Sequence, residues 1–143
     1  DKGDTVKLSV NANKNYQISA IIINNGSPIE VNGTEYEDDA ITVNEDTTIE
    51  VSFVRLYTVE VEYDAATGEL TTTPDHNAGK ITVKEGHETI SITVTPNSNY
   101  RVSAVNKTVG NEESDYTFED NGHVYTDTIS NIDKDYKYII TFR

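Results

Sequence analysis

Residues 86–105 read GHETISITVTPNSNYRVSAV, and an earlier version of this stretch occupies the amino-terminal residues of the same chain. A slide of 84 places lays Val6 on Ile90, Leu8 on Ile92, Val10 on Val94, Asn13 on Asn97, Asn15 on Asn99, Tyr16 on Tyr100 and Ser19-Ala20 on Ser103-Ala104. Six of the 16 positions from Val6 to Ile21 are identical and five more are close exchanges, enough to make this a repeat. Further along, a slide of 89 lays Tyr36 on Tyr125, Asp38 on Asp127, Asp46 on Asp135, Val51 on Ile140 and Phe53 on Phe142. The second copy therefore carries five extra residues in its middle, the difference between 89 and 84. Each copy of such a repeat is expected to fold in the same way.

The local pattern says what that fold is built from. Val6, Leu8 and Val10 alternate with Thr5, Lys7 and Ser9, the signature of a half-buried strand with one wet face. Tyr16, Ile18, Ala20 and Ile22 share one face of a second strand, and Ile21 and Ile23 fall on the other, so this strand is expected to be covered on both sides. Asn25-Gly26, Asn32-Gly33 and Asn121-Gly122 supply pairs that tolerate a left-handed backbone and mark hairpins. Ile49, Val51 and Phe53 alternate again, and Tyr57, Val59, Val61 and Tyr63 follow after only Arg55 and Leu56. Residues 64–78 are long for a plain connector and leave two readings open, a short strand near Glu69 to Thr73 or a mobile loop. Lys80 to Val83 and Thr89 to Thr95 read as a hairpin through Glu85-Gly86-His87, and Tyr136 to Phe142 closes the second copy.

No segment sustains a 3.6-residue apolar period, so the fold class is all-β. The expectation is two tandem small antiparallel β modules, sandwich-like or barrel-like, over residues 1–54 and 55–143. The first lacks its leading strands and should leave an open sheet edge beside Thr5 to Val10, which Tyr57 to Tyr63 or a second molecule could cover. It should be the weaker half.

Composition narrows the function classes. The chain has 143 residues, no cysteine, methionine or tryptophan, nine tyrosines and a formal charge of −14. Disulfides, cysteine metal sites and thiol catalysis are excluded. The charge is shared evenly, −7 in each half (10 acids less 3 bases in residues 1–54, 15 acids less 8 bases in residues 55–143), which makes nucleic acid and anionic membranes poor partners. No apolar run reaches the roughly 20 residues of a membrane-spanning helix. Asp1 reads as a cut end, with any export signal expected upstream.

The second copy runs YTVEVEYD, a loop, GKITVKEG, ISITVTPNSNYRVSAV, a turn, YTF, and a closing ISNIDKDYKYIITF. In that order it resembles the divergent InlB B-repeat family of bacterial extracellular proteins. Lys84-Glu85-Gly86, Thr95-Pro96, Asn99-Tyr100 and Phe142 stand at the places where the family pattern has its "V..G" turn, "VT..P..GY.V" and terminal "I..D..I.V.F". Asn99 departs from the glycine usual before the tyrosine, but Asn also tolerates a left-handed backbone. The resemblance covers the second copy nearly end to end, whereas the first begins inside a repeat. It implies a non-catalytic module strung in tandem on a bacterial cell-surface or secreted protein, located outside the cell, with other domains of that protein and host or envelope glycans or proteins as candidate partners. It implies no cofactor, metal or catalytic residue.

Chemistry-bearing residues are few. His76, His87 and His123 are not spaced as ligands on one element and read as exposed loop histidines. No Gly-X-Ser-X-Gly elbow or phosphate loop occurs. Glu35, Glu37, Asp38 and Asp39, and Asp115, Glu119, Asp120 and Asn121, gather calcium-type oxygen donors in what read as loops, matching no known calcium loop. Tyr57, Tyr63 and Tyr116 are the candidates for a glycan-stacking surface, the alternative being an ancillary carbohydrate-binding module of a secreted glycan-degrading enzyme. The repeated pairs Tyr16/Tyr100 and Tyr36/Tyr125 read as structural, with Tyr16 and Tyr100 largely buried.

Overall fold

A computed structural model describes residues 3–43 and 45–143; Asp1, read above as a cut end, lies outside them. The described residues form strands β1 (Asp4–Asn11), β2 (Tyr16–Ile23), β3 (Ile29–Gly33), β4 (Glu35–Val43), β5 (Ile49–Glu62), β6 (Gly68–Thr73) and β7 (Lys80–Lys84). There follow β8 (Thr89–Pro96), β9 (Val102–Val109), β10 (Glu112–Tyr116), β11 (Glu119–Asp120), β12 (Tyr125–Ser130) and β13 (Tyr136–Phe142). No helix occurs among them, and the fold is all-β. Two compact units divide between Leu56 and Tyr57, inside β5, where an interruption between two strands was expected. Arg55 and Leu56 continue the extended backbone without a turn.

In the first unit β1 pairs antiparallel with β4, while β2 lies between β3 and the first part of β5. Its buried apolar side chains are Ile18, Ile21 and Ile41. The face assignment for β2 is corrected by a bulge at Ser19, where the pairing with β5 steps from Ile18↔Phe53 to Ala20↔Ser52. One extra residue reverses the alternation, so Ile18 and Ile21 point into the same core instead of opposite faces. Ile22 and Ile23 stay half-buried, and the strand is not closed on both sides.

The second unit is a sandwich. One sheet has the order β10-β9-β13-β5-β7 and the other β11-β12-β8-β6. Both contribute to one core: Val59, Val61, Ile81, Val105, Tyr138, Ile140 and Phe142 from the first, Leu70, Ile90, Ile92, Val94 and Ile129 from the second. Burying this much apolar area, at about 25 cal/mol per Å², is the main driving force for its folding. One pairing is parallel, β13 with β5 from Tyr136↔Val59 to Ile139↔Glu62, where antiparallel sheets alone were expected. The β7–β8 hairpin is also corrected. β7 pairs with β5, β8 pairs with β12 and β6, and the turn at Gly86 (φ 78°) carries the chain from one sheet to the other. Gly86 N–H donates to Ile132 O at 2.8 Å, which ties that crossing to the strand-connecting segment opposite. Residues 68–73 are a strand, the first of the two readings left open for that segment.

The turn predictions fare unequally. The β2–β3 turn places Asn24 and Asn25 (φ 52° and 57°), not Asn25-Gly26, in the left-handed positions, with Gly26 N–H donating to Ile23 O at 3.0 Å. Two consecutive left-handed residues match the twist of a tight hairpin. Asn32 is left-handed too (φ 50°), but it leads from β3 to β4, which do not pair, so no hairpin forms there. The β11–β12 hairpin turns through Gly122 and His123 (φ 71° and 75°), not Asn121-Gly122, closed by Asn121 N–H donating to Val124 O at 2.8 Å, and its first arm is Glu119–Asp120, not the expected Tyr116 to Phe118.

The repeat reappears strand by strand. β1–β4 pairs Val10↔Tyr36 and Leu8↔Asp38; β8–β12 pairs Val94↔Tyr125 and Ile92↔Asp127. The bulge at Ser19 recurs at Ser103, where β9–β13 steps from Val102↔Phe142 to Ala104↔Thr141. In each copy the bulged serine donates its Oγ–H across to the partner strand, Ser19 to Ser52 O at 3.0 Å and Ser103 to Thr141 O at 3.1 Å. Asn15 and Asn99 adopt the left-handed backbone at φ 69° and 73°, inside turns closed by Tyr16 N–H to Asn13 O and Tyr100 N–H to Asn97 O, both 3.0 Å. Tyr16 and Tyr100 are alike but not buried: 38% and 39% exposed, they stand at the turn, ahead of the core positions Ile18 and Val105.

Candidate functional site

Among the described residues, polar or exposed aromatic chemistry gathers at one place in each unit. In the second unit the carboxylate of Asp127, on β12, accepts the Tyr138 hydroxyl at 2.6 Å on Oδ2 and the Tyr116 hydroxyl at 2.7 Å on Oδ1. The Lys107 ammonium lies 3.5 Å from Oδ2 and 3.9 Å from the centre of the Tyr116 ring, with Tyr136 and Tyr138 at 5.5 and 5.3 Å. Phe118 closes the group edge-on against Tyr138 and Tyr116, at centroid distances of 5.4 and 5.9 Å. Strand pairing sets this up, since Asp127 stands opposite Ile92 on β8 and Lys107 opposite Tyr138 on β13.

The electrostatics follow from burial. Loss of water first, then the hydrogen bond to Asp127 and repulsion from its charge, push the Tyr116 hydroxyl up to about 12. The same causes in the same order raise Tyr138 further, because its ring is fully buried. Burial, then the negative charges of Asp133 and Asp127, raise Tyr136. Both tyrosines are held as neutral donors, and Lys107 compensates the one charge they surround. With its oxygens already engaged, this carboxylate is an anchor between two sheets, and it has no counterpart in the first unit, where Ile23 and Ile49 stand at the positions of Lys107 and Tyr138.

In the first unit a groove of about 260 Å³ is lined by Asn11, Asn13, Tyr16 and Phe53. Phe53 is 48% exposed, whereas its equivalent Phe142 is 9% exposed. What differs is β6. In the second unit β6 lies along β8, with Gly68↔Pro96 and Glu69↔Thr95 in register, Asn97 N–H donating to Thr67 O at 2.9 Å and Asn97 Nδ2 to Ala66 O at 3.0 Å. A Cβ on Gly68 would fall 2.6 Å from Phe142 Cζ, so only glycine lets the strand lie over that ring. In the first unit β1, the equivalent of β8, pairs with β4 alone among the described residues. Tyr57 to Tyr63, one of the two coverings foreseen, instead pairs through β5 with β13 and β7.

The residues singled out from sequence are scattered. His76 is held within its loop and is not an exposed histidine: Gly79 N–H donates to its Nδ1 at 2.9 Å, which leaves Nε2 to donate to Leu70 O at 3.0 Å. His87 is half-buried, and His123 Nε2 lies 2.9 Å from Pro96 O. Among the described residues no three His, Asp or Glu side chains converge as a metal site. The first acidic cluster lies in strand β4, not in a loop, with Glu37 and Asp39 facing Lys7 at 3.9 and 3.8 Å and Asp38 Oδ1 accepting from Ala40 N–H at 3.0 Å. Asp115 falls in β10, Glu119 and Asp120 form β11, and Asp120 Oδ1 accepts from His123 N–H at 3.2 Å. Tyr57, Tyr63 and Tyr116 are half-buried and pack against the core of the second unit. Asp127 was visible only as the repeat partner of Asp38; its network was signalled by nothing local.

The fold and these sites define an all-β protein of two compact units, with a tyrosine–aspartate anchor in one and, among the described residues, a strand paired on one side only in the other. No protein family matches the chain, and neither a curated protein nor a solved structure does.

Proposed function

We propose that this chain is a non-catalytic tandem β-repeat segment of a bacterial cell-surface or secreted protein, acting as a spacer and interaction module. The resemblance to divergent InlB B-repeats supplies the setting, and the parallel pairing of β5 with β13 supplies the supporting observation. The second unit is entered at Tyr57 and left at Arg143, and the strands carrying those two ends are adjacent and parallel from Tyr136↔Val59 to Ile139↔Glu62. Tension between the ends pulls neighbouring parallel strands in opposite directions. Their hydrogen bonds are then loaded together in shear instead of being opened one after another. Lys137 and Glu62, 3.1 Å apart, and the Asp135 carboxylate, accepting from Thr58 N–H at 2.9 Å, bridge the same pair of strands. A module that spaces other domains away from a cell surface has to resist such tension.

Pulling the 143-residue chain by its ends in a force spectrometer tests this. The expected trace has a low-force event for the first unit and a higher-force event releasing the 87 residues from Tyr57 to Arg143 (143 − 57 + 1), about 300 Å of extended chain. A second unit that yields at a force no higher than the first would defeat the proposal. So would reproducible glycan-array binding lost in Tyr57→Ala or Tyr63→Ala, which would favour the carbohydrate-binding reading.

A further inference from the structure

We infer that Asn121 is a site of spontaneous covalent modification, converting to aspartate and isoaspartate through a cyclic imide and opening the β11–β12 hairpin as it does so. The chain carries three Asn-Gly pairs, at residues 25–26, 32–33 and 121–122. Asparagine is chemically labile, most of all before glycine, where no side chain shields the next amide nitrogen. The reaction also requires the peptide group between the two residues to rotate until that nitrogen meets the side-chain carbon. The three pairs differ in what holds this peptide group. At Asn25-Gly26 its nitrogen is engaged, with Gly26 N–H donating to Ile23 O at 3.0 Å. Asn24 pins the same turn, its N–H donating to Thr48 O and its Oδ1 accepting from Thr48 N–H, both at 2.8 Å. At Asn32-Gly33 the carbonyl is engaged, Gln17 Nε2–H donating to Asn32 O at 2.7 Å, and Gly33 pairs with Ile18 in the sheet. At Asn121-Gly122 neither the Gly122 N–H nor the Asn121 carbonyl has a partner among the described residues. Both residues are exposed, and a Cβ placed on Gly122 would meet no atom within 4 Å, so the peptide group has room to turn. The surrounding hairpin is held by two register pairs, Glu119↔Thr126 and Asp120↔Tyr125, which makes its local opening inexpensive.

Base removes the Gly122 N–H proton, and the nitrogen attacks Asn121 Cγ. A Cγ–N bond forms, the Cγ–Nδ2 bond breaks, and the side-chain amide leaves as ammonia with an equivalent proton, which closes the imide. Water then opens the ring. Attack at Cγ restores the normal main chain with an aspartate at 121. Attack at the main-chain carbonyl carbon breaks its bond to the Gly122 nitrogen and leaves the chain running through Cγ, one carbon longer. Both products weaken the hairpin. The Asn121 Nδ2 donor, 3.4 Å from Thr126 Oγ1, is lost, and a further carboxylate follows Glu119 and Asp120. The longer main chain also shifts the Asn121 N–H away from Val124 O, the bond that closes the turn. Phe118 is buried just ahead of β11, so the loosening stays within residues 119–126.

The test holds the folded 143-residue chain in mildly alkaline buffer and follows the three asparagines by peptide mapping and mass spectrometry, beside three synthetic peptides carrying the same Asn-Gly pairs. Measured against its own peptide, Asn121 should convert about tenfold faster than Asn25 or Asn32, the factor expected where one hydrogen bond must break first. Equal relative rates at the three sites, or an Asn121 that stays intact while its peptide converts, overturns the proposal. The purified isoaspartate form should show faster hydrogen exchange at residues 119–126 and unchanged exchange in β8 and β13. Unchanged exchange at residues 119–126 overturns the opening of the hairpin.

Discussion

The two units share a plan and differ in what completes it. Among the described residues, fifteen apolar side chains are buried in the second unit, from Val59 to Phe142, against three in the first, Ile18, Ile21 and Ile41. Equivalent positions make the comparison direct: Ile92 is wholly buried and Leu8 half-buried, while Phe142 is 9% and Phe53 48% exposed. The first unit also buries the Gln17 Oε1 atom with no hydrogen-bond partner among the described residues, a cost of about 1–3 kcal/mol. A repeat, then, does not confer equal burial on its copies. β6, β7 and the second part of β5 complete the sandwich of the second unit, and the described residues of the first unit include no equivalents of them.

The largest expected contrast is between the two phenylalanines. Phe142→Ala removes a buried ring and should cost about 3–5 kcal/mol in urea unfolding of the second unit, whereas Phe53→Ala should cost under about 1 kcal/mol in the first. Equal effects would mean that Phe53 is covered in solution. The aspartates come next. Asp127→Ala leaves Lys107 uncompensated and two tyrosine hydroxyls without an acceptor, and should cost about 3 kcal/mol, near the lower end for breaking a buried charged pair. Its equivalent Asp38→Ala loses one exposed hydrogen bond and should cost about 0.5 kcal/mol.

A smaller effect sharpens the role of β6. Gly68→Ala forces a methyl against the Phe142 ring and should cost about 1–3 kcal/mol, and combining it with Phe142→Leu should recover part of the loss. If the two changes were simply additive, the close approach of strand and ring would not be the reason for the glycine.

The smallest effect is in pH dependence. Tyr116 and Tyr138 have folded-state values raised above the ordinary 10.0, so the stability they contribute is complete below pH 10. Above it the unfolded chain ionises first, and stability falls as pH rises through the Tyr116 value of about 12. Thermal melts of the second unit should drop over that window, and Tyr138→Phe should flatten the drop. An unchanged slope would remove Asp127 and its tyrosines as the source of alkaline sensitivity.

The sequence by itself determined that the chain is all-β, that it matches itself at offsets of 84 and 89, and that Asn99 could take the left-handed turn usually made by glycine. Each is a local property: a period of two in side-chain polarity, a matched order of residues, and an Asn that tolerates positive φ. Tertiary structure alone decided which strands pair. β7 joins β5 instead of β8, and β13 lies parallel to β5, since partner choice follows from burying the apolar faces of two whole sheets and leaves no mark in a stretch of eight residues. The bulge at Ser19 and Ser103 moved Ile21 into the core for the same reason, one residue inverting every face that follows it. Asp127 shows the limit most plainly. Its partners Lys107, Tyr116 and Tyr138 come from β9, β10 and β13, and only the closing of two sheets over one carboxylate makes them a site.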